Sequence, residues 1–139
     1  VGSWFGITGA FSLLPLIPGA AVMFWVAGFD TMYACQDIEF DRRHRLHSIP
    51  ARFGEKGALL LSALFHMLTI VFLLMTGIIF KLGIWYYIGV GFASTILIYQ
   101  HLIVKPGDLT RVGYASFSIN HYMGLIIFIM TLINIFVLI

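Results

Sequence analysis

The sequence predicts an all-α membrane protein whose transmembrane helices pack into a bundle. Of its 139 residues, 60% are hydrophobic and 10% are charged, and the mean hydropathy is +0.99. Soluble domains are about 45–50% apolar and about 25% charged, so this composition excludes a typical soluble globule. Ten of the 14 charged residues lie between Asp30 and Lys56. The long uncharged stretches that remain can each cross a hydrocarbon core about 30 Å thick.

The same composition excludes several other classes of protein. The single cysteine, Cys35, cannot form an internal disulfide, so no oxidising compartment is implied. A formal net charge of +2 is too small and too local to indicate nucleic acid as a partner. Residues 1–29 contain no basic n-region and no small-residue cleavage site, so we do not expect a signal peptide there.

Prolines and loops divide the uncharged stretches into four predicted spans of one transmembrane domain, residues 1–139. Pro15 and Pro18 interrupt the first stretch, so we expect residues 1–10 to end a preceding span and a helix to begin near Pro18. The links between the later spans are short, which makes consecutive spans antiparallel neighbours. The predicted spans cover about residues 18–40, 57–80, 83–104 and 113–138, with a loop over residues 42–56.

The basic residues predict which side of the membrane the loops face. Loop 42–56 contains five Lys or Arg residues, and loop 105–111, on the same side, contains two. The opposite side has only Lys81. Because cytoplasmic loops carry an excess of Lys and Arg, we expect the charged loop of this multi-pass protein to lie in the cytoplasm.

The end of the first predicted span carries an acidic face. At about 100° per residue, four side chains share an arc of about 80°, namely those of Asp30, Tyr33, Asp37 and Asp41. Acidic residues in a membrane helix usually face a bundle interior or an aqueous cavity. Asp37 and Asp41 are i, i+4 neighbours that repel each other unless a cation lies between them. Their oxygen ligands, with no Cys or His pair on the same face, indicate Mg²⁺ as the metal.

Basic side chains follow this acidic face directly. Guanidinium and imidazole groups are suited to phosphate oxygens, and those present are Arg42, Arg43, Arg45, His47 and Arg52. Carboxylates for a metal beside basic groups for phosphate indicate an anionic, lipid-linked substrate such as a diphosphate. Taken singly, the loop arginines are more readily explained by interfacial salt bridges and by membrane topology.

Three strings in the chain resemble those of a known family. They are DTMYACQDIEFD at residues 30–41, HSIPARFG at residues 47–54 and YQHLIVKPGDLTRVGYASFSIN at residues 99–120. They are similar to UbiA-type intramembrane aromatic prenyltransferases, especially the 4-hydroxybenzoate polyprenyltransferase-like branch. The resemblance implies a nine-helix transmembrane bundle with two aspartate-rich motifs facing each other across a central cavity. It also implies Mg²⁺-dependent transfer of a polyprenyl group from its diphosphate to an aromatic acceptor such as 4-hydroxybenzoate, in ubiquinone or menaquinone biosynthesis.

Carried over by position, the resemblance implies roles for individual residues. Asp37 and Asp41 are the two acids of the second motif and hold Mg²⁺ on the diphosphate. Asp30 and Tyr33 line the same cavity. The expected catalytic residues are therefore Asp37, Asp41, Asp30 and Tyr33. Arg43 stands where relatives often place a basic residue. The expected diphosphate-binding residues are Arg43, Arg42, His47 and Arg52.

The chain also departs from the family pattern. Relatives often have Gly at the position of Arg45 and Lys at that of His47, and many have Gly in place of His121. The family's first motif, NDxxDxxxD, is absent because the sequence has no Asn-Asp pair. The resemblance therefore implies the C-terminal half of such an enzyme, with the N-terminal half as its partner. It further implies a prokaryotic inner membrane and an active site on the cytoplasmic side.

Two other functions fit part of the pattern. One is a membrane transporter or scaffold subunit in which Asp30, Asp37 and Asp41 relay a cation or a proton, but no acidic residue continues the path in the other three spans. The other is a CDP-alcohol phosphotransferase, whose Gly-Ala-Arg pattern between acidic residues is missing.

Among isolated polar residues, His66 is expected to hydrogen-bond a neighbouring helix. Asn120 is expected either to do the same or to border the cavity.

Overall fold

A computed structural model describes residues 2–137 of the chain as a bundle of helices. The elements are α1 (Gly2–Thr8), α2 (Leu16–Tyr33), a 3₁₀ turn (Ala34–Asp37), α3 (Ile38–Arg43), α4 (Ile49–Ile79), α5 (Ile84–Ile103), a π-helical segment (Tyr114–Ile119) and α6 (Asn120–Val137). The predicted all-α fold class is confirmed. The end of the fourth predicted span, at residue 138, lies outside the described residues.

Three helical stretches are long and apolar enough to cross a membrane. They are Leu16–Arg43 with 28 residues, Ile49–Ile79 with 31 and Tyr114–Val137 with 24. At about 1.5 Å per residue, each is longer than a hydrocarbon core of about 30 Å. Helix α5 has 20 residues at the position of the third predicted span, but Gln100 and His101 make its end more polar. Four full spans in a nine-helix bundle therefore stay a prediction.

The first predicted span differs from a single straight helix over residues 18–40. Pro15 is the N-cap residue of α2 and Pro18 lies in its first turn, where the missing backbone N–H removes no helical hydrogen bond. Helix α2 ends at Tyr33, and the backbone of Asp37, with φ −101° and ψ 9°, is not helical. A 3₁₀ turn thus separates α2 from α3 and changes the direction of the side chains beyond it.

The connection between α3 and α4 comprises residues 44–48, so it is shorter than the predicted loop over residues 42–56. Ser48 caps α4, because its Oγ accepts a hydrogen bond from the Ala51 amide at 3.2 Å. Pro50 lies in the first turn of the helix, where proline is well tolerated. The many charged residues in this stretch led to the prediction of a longer loop. The sequence Ser48-Ile49-Pro50 instead begins a helix.

Helix α4 bends at Gly54, where φ is +71° and ψ is 175°. This left-handed φ favours glycine, which has no Cβ atom to clash with the backbone. A short turn over residues 49–53 precedes the bend, and the long membrane-crossing part of α4 follows it. The bend therefore lets Arg52 sit on a helical turn close to α3.

Helix α4 is central, since it packs against α2 on one side and α5 on another, while α5 packs against α6. Glycine allows close approach at two crossings. A Cβ atom on Gly28 would collide with the His66 ring, and one on Gly89 would lie 2.7 Å from Met130 Cβ.

A buried apolar cluster fixes the 3₁₀ turn against α4 and the π-helical segment. It contains Met32, Cys35, Ile38, Ala58, Leu59, Val104, Val112, Ala115 and Ile119.

Candidate functional site

The structure places the predicted acidic face along the end of α2, the 3₁₀ turn and α3. Asp30, Tyr33 and Asp37 are exposed at the bundle surface. Asp41 is buried, with 9% of its surface exposed. A 3₁₀ turn advances about 120° per residue instead of about 100°, so its four residues rotate the side chains of α3 by about 80°. The arc predicted from a straight helix therefore does not extend unchanged to Asp41.

The three aspartates of the predicted acidic face, Asp30, Asp37 and Asp41, have no counter-charge among the described residues. Within residues 2–137, the only ion pair joins Arg43 and Glu39, and no hydrogen bond reaches the side chains of Asp30, Asp37 or Asp41. A carboxylate at the end of a membrane helix is costly without a counter-charge. The acidic face therefore favours a bound cation.

Asp37 and Asp41 carry the hard oxygen donors that Mg²⁺ prefers, but by themselves they do not form a complete cage. In the part of the chain that the structure describes, no three His, Cys, Asp or Glu side chains are grouped to hold a metal ion. Mg²⁺ in proteins typically takes one or two carboxylates and completes its shell with water and substrate phosphate. The hard oxygen donors of this pair match that pattern.

The arginines at the end of α3 have distinct contacts. Arg42 Nε donates a hydrogen bond to the Ala51 carbonyl at 3.1 Å, which ties α3 to the first turn of α4. Arg43 pairs with Glu39 at 3.5 Å, with 78% and 87% of these side chains exposed. An ion pair so exposed contributes little to stability. The Arg43 guanidinium is therefore free to exchange Glu39 for another partner.

Basic side chains from three elements surround one surface pocket. The pocket has a volume of about 740 Å³, and its basic lining residues are Arg42, Arg45, His47 and Arg52. The Arg52 guanidinium lies 5.4 Å from the centre of the Phe53 ring, which orients it by a cation–π contact. The structure thus brings together three of the four predicted diphosphate ligands and adds Arg45, while Arg43 lies outside this lining.

An aromatic wall adjoins the acidic face. The rings of Tyr33 and Phe117 meet edge to face with centroids 4.9 Å apart. Phe117 belongs to the π-helical segment, and the Ser116 hydroxyl of this segment donates to the Phe29 carbonyl at 3.4 Å. Such π-helical segments are frequent at functional sites. Phe117 was missed from the sequence because no residue pattern distinguishes a π-helical turn from an α-helical one.

A buried amide joins three helices next to this wall. Asn120 Oδ1 accepts hydrogen bonds from Trp25 Nε1 at 2.9 Å and from Gln100 Nε2 at 2.8 Å, and Asn120 Nδ2 donates to the Ser116 carbonyl at 2.8 Å. Of the two roles expected for Asn120, the structure shows the helix–helix hydrogen bond. These contacts hold α2, α5 and the start of α6 in one arrangement.

The His66 prediction is confirmed. His66 Nδ1 lies 2.9 Å from His101 Nε2 on α5, within hydrogen-bonding distance. One turn away on α4, the Ser62 hydroxyl donates to the Gly28 carbonyl at 2.7 Å. These contacts anchor α4 to both neighbouring helices. The contact with α2, at Gly28, lies two residues before Asp30.

The loop between α5 and the π-helical segment is pinned to α4. Glu55 Oε2 accepts a hydrogen bond from the Gly107 amide at 2.7 Å. Asp108 Oδ1 accepts from the Thr110 hydroxyl at 2.6 Å and from the Thr110 amide at 3.2 Å. These bonds, with the positive charges of Arg111 and Lys105, lower the pKa of the Asp108 carboxyl below its usual value. The loop therefore has a defined shape at neutral pH.

Comparison with known proteins identifies the family. The UbiA prenyltransferase family matches residues 1–123, a stretch that contains the acidic face, the basic pocket and the aromatic wall. The chain belongs to the UbiA prenyltransferase family. It is also 35% identical over 137 residues to the 4-hydroxybenzoate octaprenyltransferase of Francisella tularensis subsp. novicida (strain U112). That match covers 94% of this chain and 48% of the relative.

Other UbiA relatives agree with this assignment. The 4-hydroxybenzoate octaprenyltransferase of Aeromonas salmonicida (strain A449) is 29% identical over 114 residues, which cover 82% of this chain and 39% of that protein. The apo structure of a UbiA homolog from Aeropyrum pernix K1 superposes with a TM-score of 0.77 at 32% identity, covering 91% of this chain and 46% of that one. The membrane helix bundle is therefore a UbiA fold, and the chain spans about half the length of the curated relatives it matches.

Proposed function

We propose that the full-length protein containing this chain transfers a polyprenyl group from its diphosphate to an aromatic acceptor of the 4-hydroxybenzoate type, in quinone biosynthesis. The names of the similar Francisella and Aeromonas proteins support this substrate pair. The observation that carries the proposal is that three carboxylates without a partner, on α2, the 3₁₀ turn and α3, are followed directly in the chain by a pocket lined by four basic side chains. Carboxylates for a metal and cations for phosphate are what an allylic diphosphate requires.

In this proposal Asp37 and Asp41 hold Mg²⁺ on the diphosphate. Asp37 is exposed and reaches the ion directly, while Asp41 is buried on the following turn, where a cation offsets its charge. When bound, Mg²⁺ supplies charge stabilisation for the leaving diphosphate oxygens. Asp30, one turn before the 3₁₀ segment, adds negative potential that attracts the metal.

The basic pocket receives the diphosphate oxygens that the metal does not neutralise. Arg42 uses Nε on the Ala51 carbonyl, which leaves its terminal nitrogens for phosphate. His47 and Arg52 reach the same pocket, and Arg43 can leave its exposed pairing with Glu39 to join them. Positive charge at this position stabilises the diphosphate as the allylic carbon–oxygen bond breaks.

The aromatic wall faces the allylic cation in this scheme. The carbon–oxygen bond of the donor breaks with its electron pair going to diphosphate, a ring carbon of the acceptor then attacks the cation, and the ring loses one proton. Tyr33 and Phe117 offer aromatic surfaces that favour a cation, and an apolar surround limits its capture by water.

Two further parts of the proposal concern the whole protein. The chain covers 48% of its Francisella relative, which supports an N-terminal half that supplies the other aspartate-rich motif. Residues 42–56 and 105–111 carry seven basic side chains against Lys81 on the opposite side, which supports a site on the cytoplasmic side of the membrane. The prokaryotic inner membrane is proposed from the resemblance to the family.

The proposal is tested by an assay of the full-length protein in isolated membranes. With octaprenyl diphosphate, 4-hydroxybenzoate and Mg²⁺, we expect prenylated 4-hydroxybenzoate and one diphosphate released per product. Chelation by EDTA is expected to abolish product formation, and added Mg²⁺ to restore it. Membranes without the protein serve as the control. Unchanged product formation in EDTA would remove the metal from the proposal, and donor hydrolysis without a prenylated product would contradict prenyl transfer.

Arg52→Gln is expected to weaken donor binding more than turnover. Loss of one charge-assisted phosphate contact costs about 1.5–3 kcal/mol, so we expect KM for the diphosphate donor to rise about tenfold or more while KM for the acceptor stays the same. Lys81→Gln, on the opposite side of the bundle, is the matched control. Equal KM values in wild type and Arg52→Gln would contradict a phosphate contact from this residue.

A further inference from the structure

Helices α2 and α6 leave a groove between them. Near the acidic face, α2 contacts the π-helical segment, but among the described residues no Cα atom of α2 lies within 8 Å of a Cα atom of α6. The two helices therefore diverge with depth in the membrane, and the space between them opens below the aromatic wall.

The lower part of this groove is an apolar pocket of about 340 Å³ between α2, α4 and α6, lined by Val22, Leu73, Ile127 and Phe128 among others. Its polar side chains are Thr69 and Thr131. Their hydroxyls donate to carbonyls of their own helices, at 3.0 Å and 2.6 Å respectively. The pocket therefore presents hydrocarbon surface to an occupant and offers it no free hydrogen-bond donor.

Trp25 crosses the groove at the top of this pocket. Its indole N–H donates to Asn120 Oδ1 at 2.9 Å, an oxygen that Gln100 Nε2 also contacts. Its far edge lies over Gly124, where an added Cβ atom would be 3.2 Å from Trp25 Cη2. The indole is thus anchored on α6 at both ends and is not free to swing out of the groove.

An aromatic stripe connects Trp25 with the acidic face. Trp25, Phe29 and Tyr33 are spaced i, i+4 and i+8, so they share one side of α2. The Trp25 and Phe29 rings meet edge to face with centroids 6.0 Å apart, and Tyr33 continues the stripe onto Phe117. Asp37, which holds the metal in the proposed function, lies 12 residues after Trp25, or about 18 Å along the chain at about 1.5 Å per residue. A hydrocarbon chain whose diphosphate head lies at Asp37 therefore reaches Trp25 about 18 Å from that head.

We propose that Trp25 is a residue that determines chain-length specificity: it separates the acidic end of the groove from the apolar pocket and limits how far the isoprenoid chain of the donor extends. This inference rests on the proposed function. The isoprenoid chain is the occupant because the pocket is apolar and continuous with the aromatic stripe that ends at the diphosphate site. Gly124 leaves room for the indole across the groove, since an added Cβ atom there would lie 3.2 Å from Trp25 Cη2.

The test uses the full-length enzyme with geranyl, geranylgeranyl and octaprenyl diphosphates as donors and 4-hydroxybenzoate as acceptor. Trp25→Leu removes the indole that crosses the groove. We therefore expect the ratio of kcat/KM for the octaprenyl donor to kcat/KM for the geranyl donor to rise on the order of tenfold. Gly124→Leu narrows the groove and is expected to lower the same ratio. Trp85→Leu, an exposed tryptophan on α5, is the matched control and is expected to leave the ratio unchanged.

A second variant guards against misfolding. Trp25→Phe keeps an aromatic ring but loses the hydrogen bond to Asn120. We expect the octaprenyl-to-geranyl ratio of kcat/KM to rise less than in Trp25→Leu. Expression and elution from a sizing column are expected to match those of the wild type. Transfer by the wild type with an unchanged ratio in all three groove variants would overturn the role of Trp25. Absence of transfer from every donor would instead overturn the proposed function, and the inference with it.

Discussion

Asp37→Ala is expected to lower kcat/KM for prenyl transfer by about 10²–10³-fold in the full-length protein, the loss typical when one stabilising group is removed from a transition state. The Asp37 side chain is exposed and makes no hydrogen bond with the described residues. Its removal therefore takes away a metal ligand without breaking a contact that holds the fold. Initial rates in membranes with saturating Mg²⁺ measure the effect.

Glu39→Ala is the matched control for this variant. Glu39 is also acidic and lies two residues further on, but it is highly exposed and its pairing with Arg43 is worth little. We expect its rate to stay within about twofold of the wild type, because surface substitutions change free energies by roughly 0.5 kcal/mol or less. Similar losses in Asp37→Ala and Glu39→Ala would show general sensitivity of the segment and contradict a specific role of Asp37.

The second large effect is expected at Gly28, where α2 and α4 cross. A methyl group at this position collides with the His66 ring, which is itself held by His101. Overpacking of this kind costs about 1–3 kcal/mol, so Gly28→Ala is expected to lower the midpoint of thermal unfolding in detergent. Because Asp30 follows two residues later, the variant is also expected to lose prenyl transfer activity.

Gly19→Ala tests whether this loss depends on the crossing. Gly19 belongs to the same helix, and an added Cβ atom there meets nothing within 4 Å, so stability is expected to stay the same or rise slightly. The double variant Gly28→Ala/His66→Ala removes the colliding ring and is expected to recover part of the lost stability. An unfolding midpoint for Gly28→Ala equal to that of Gly19→Ala would contradict the close packing of α2 on α4.

Several features of the fold and the site can be predicted from the sequence alone. Uncharged stretches bounded by charged residues locate α2, the long part of α4, α5 and α6, because hydrocarbon admits few charges. The strings around Asp37 and His47 identify the family that the comparisons confirm. A single His66 in an apolar span indicates a partner on another helix, since an unpaired imidazole is costly there, and His101 is that partner.

Other features depend on backbone geometry that residue patterns do not specify. A straight helix through Asp41 would keep its side chain on the acidic face, but the 3₁₀ turn changes its direction and leaves the residue with 9% of its surface exposed. The π-helical segment brings Phe117 beside Tyr33, and nothing in its composition signals an extra residue per turn. The contact of Trp25 with Asn120 joins residues 95 positions apart, a pairing that only the packed bundle shows.

In the proposed function, the acidic face binds a divalent cation together with a diphosphate. Mn²⁺ binding to the purified full-length protein, followed by electron paramagnetic resonance with inorganic diphosphate present, tests it most directly. We expect the Glu39→Ala protein to bind as much Mn²⁺ as the wild type, and the Asp37→Ala protein to bind less at every Mn²⁺ concentration below saturation. Identical binding curves for the wild type and Asp37→Ala would contradict the claim.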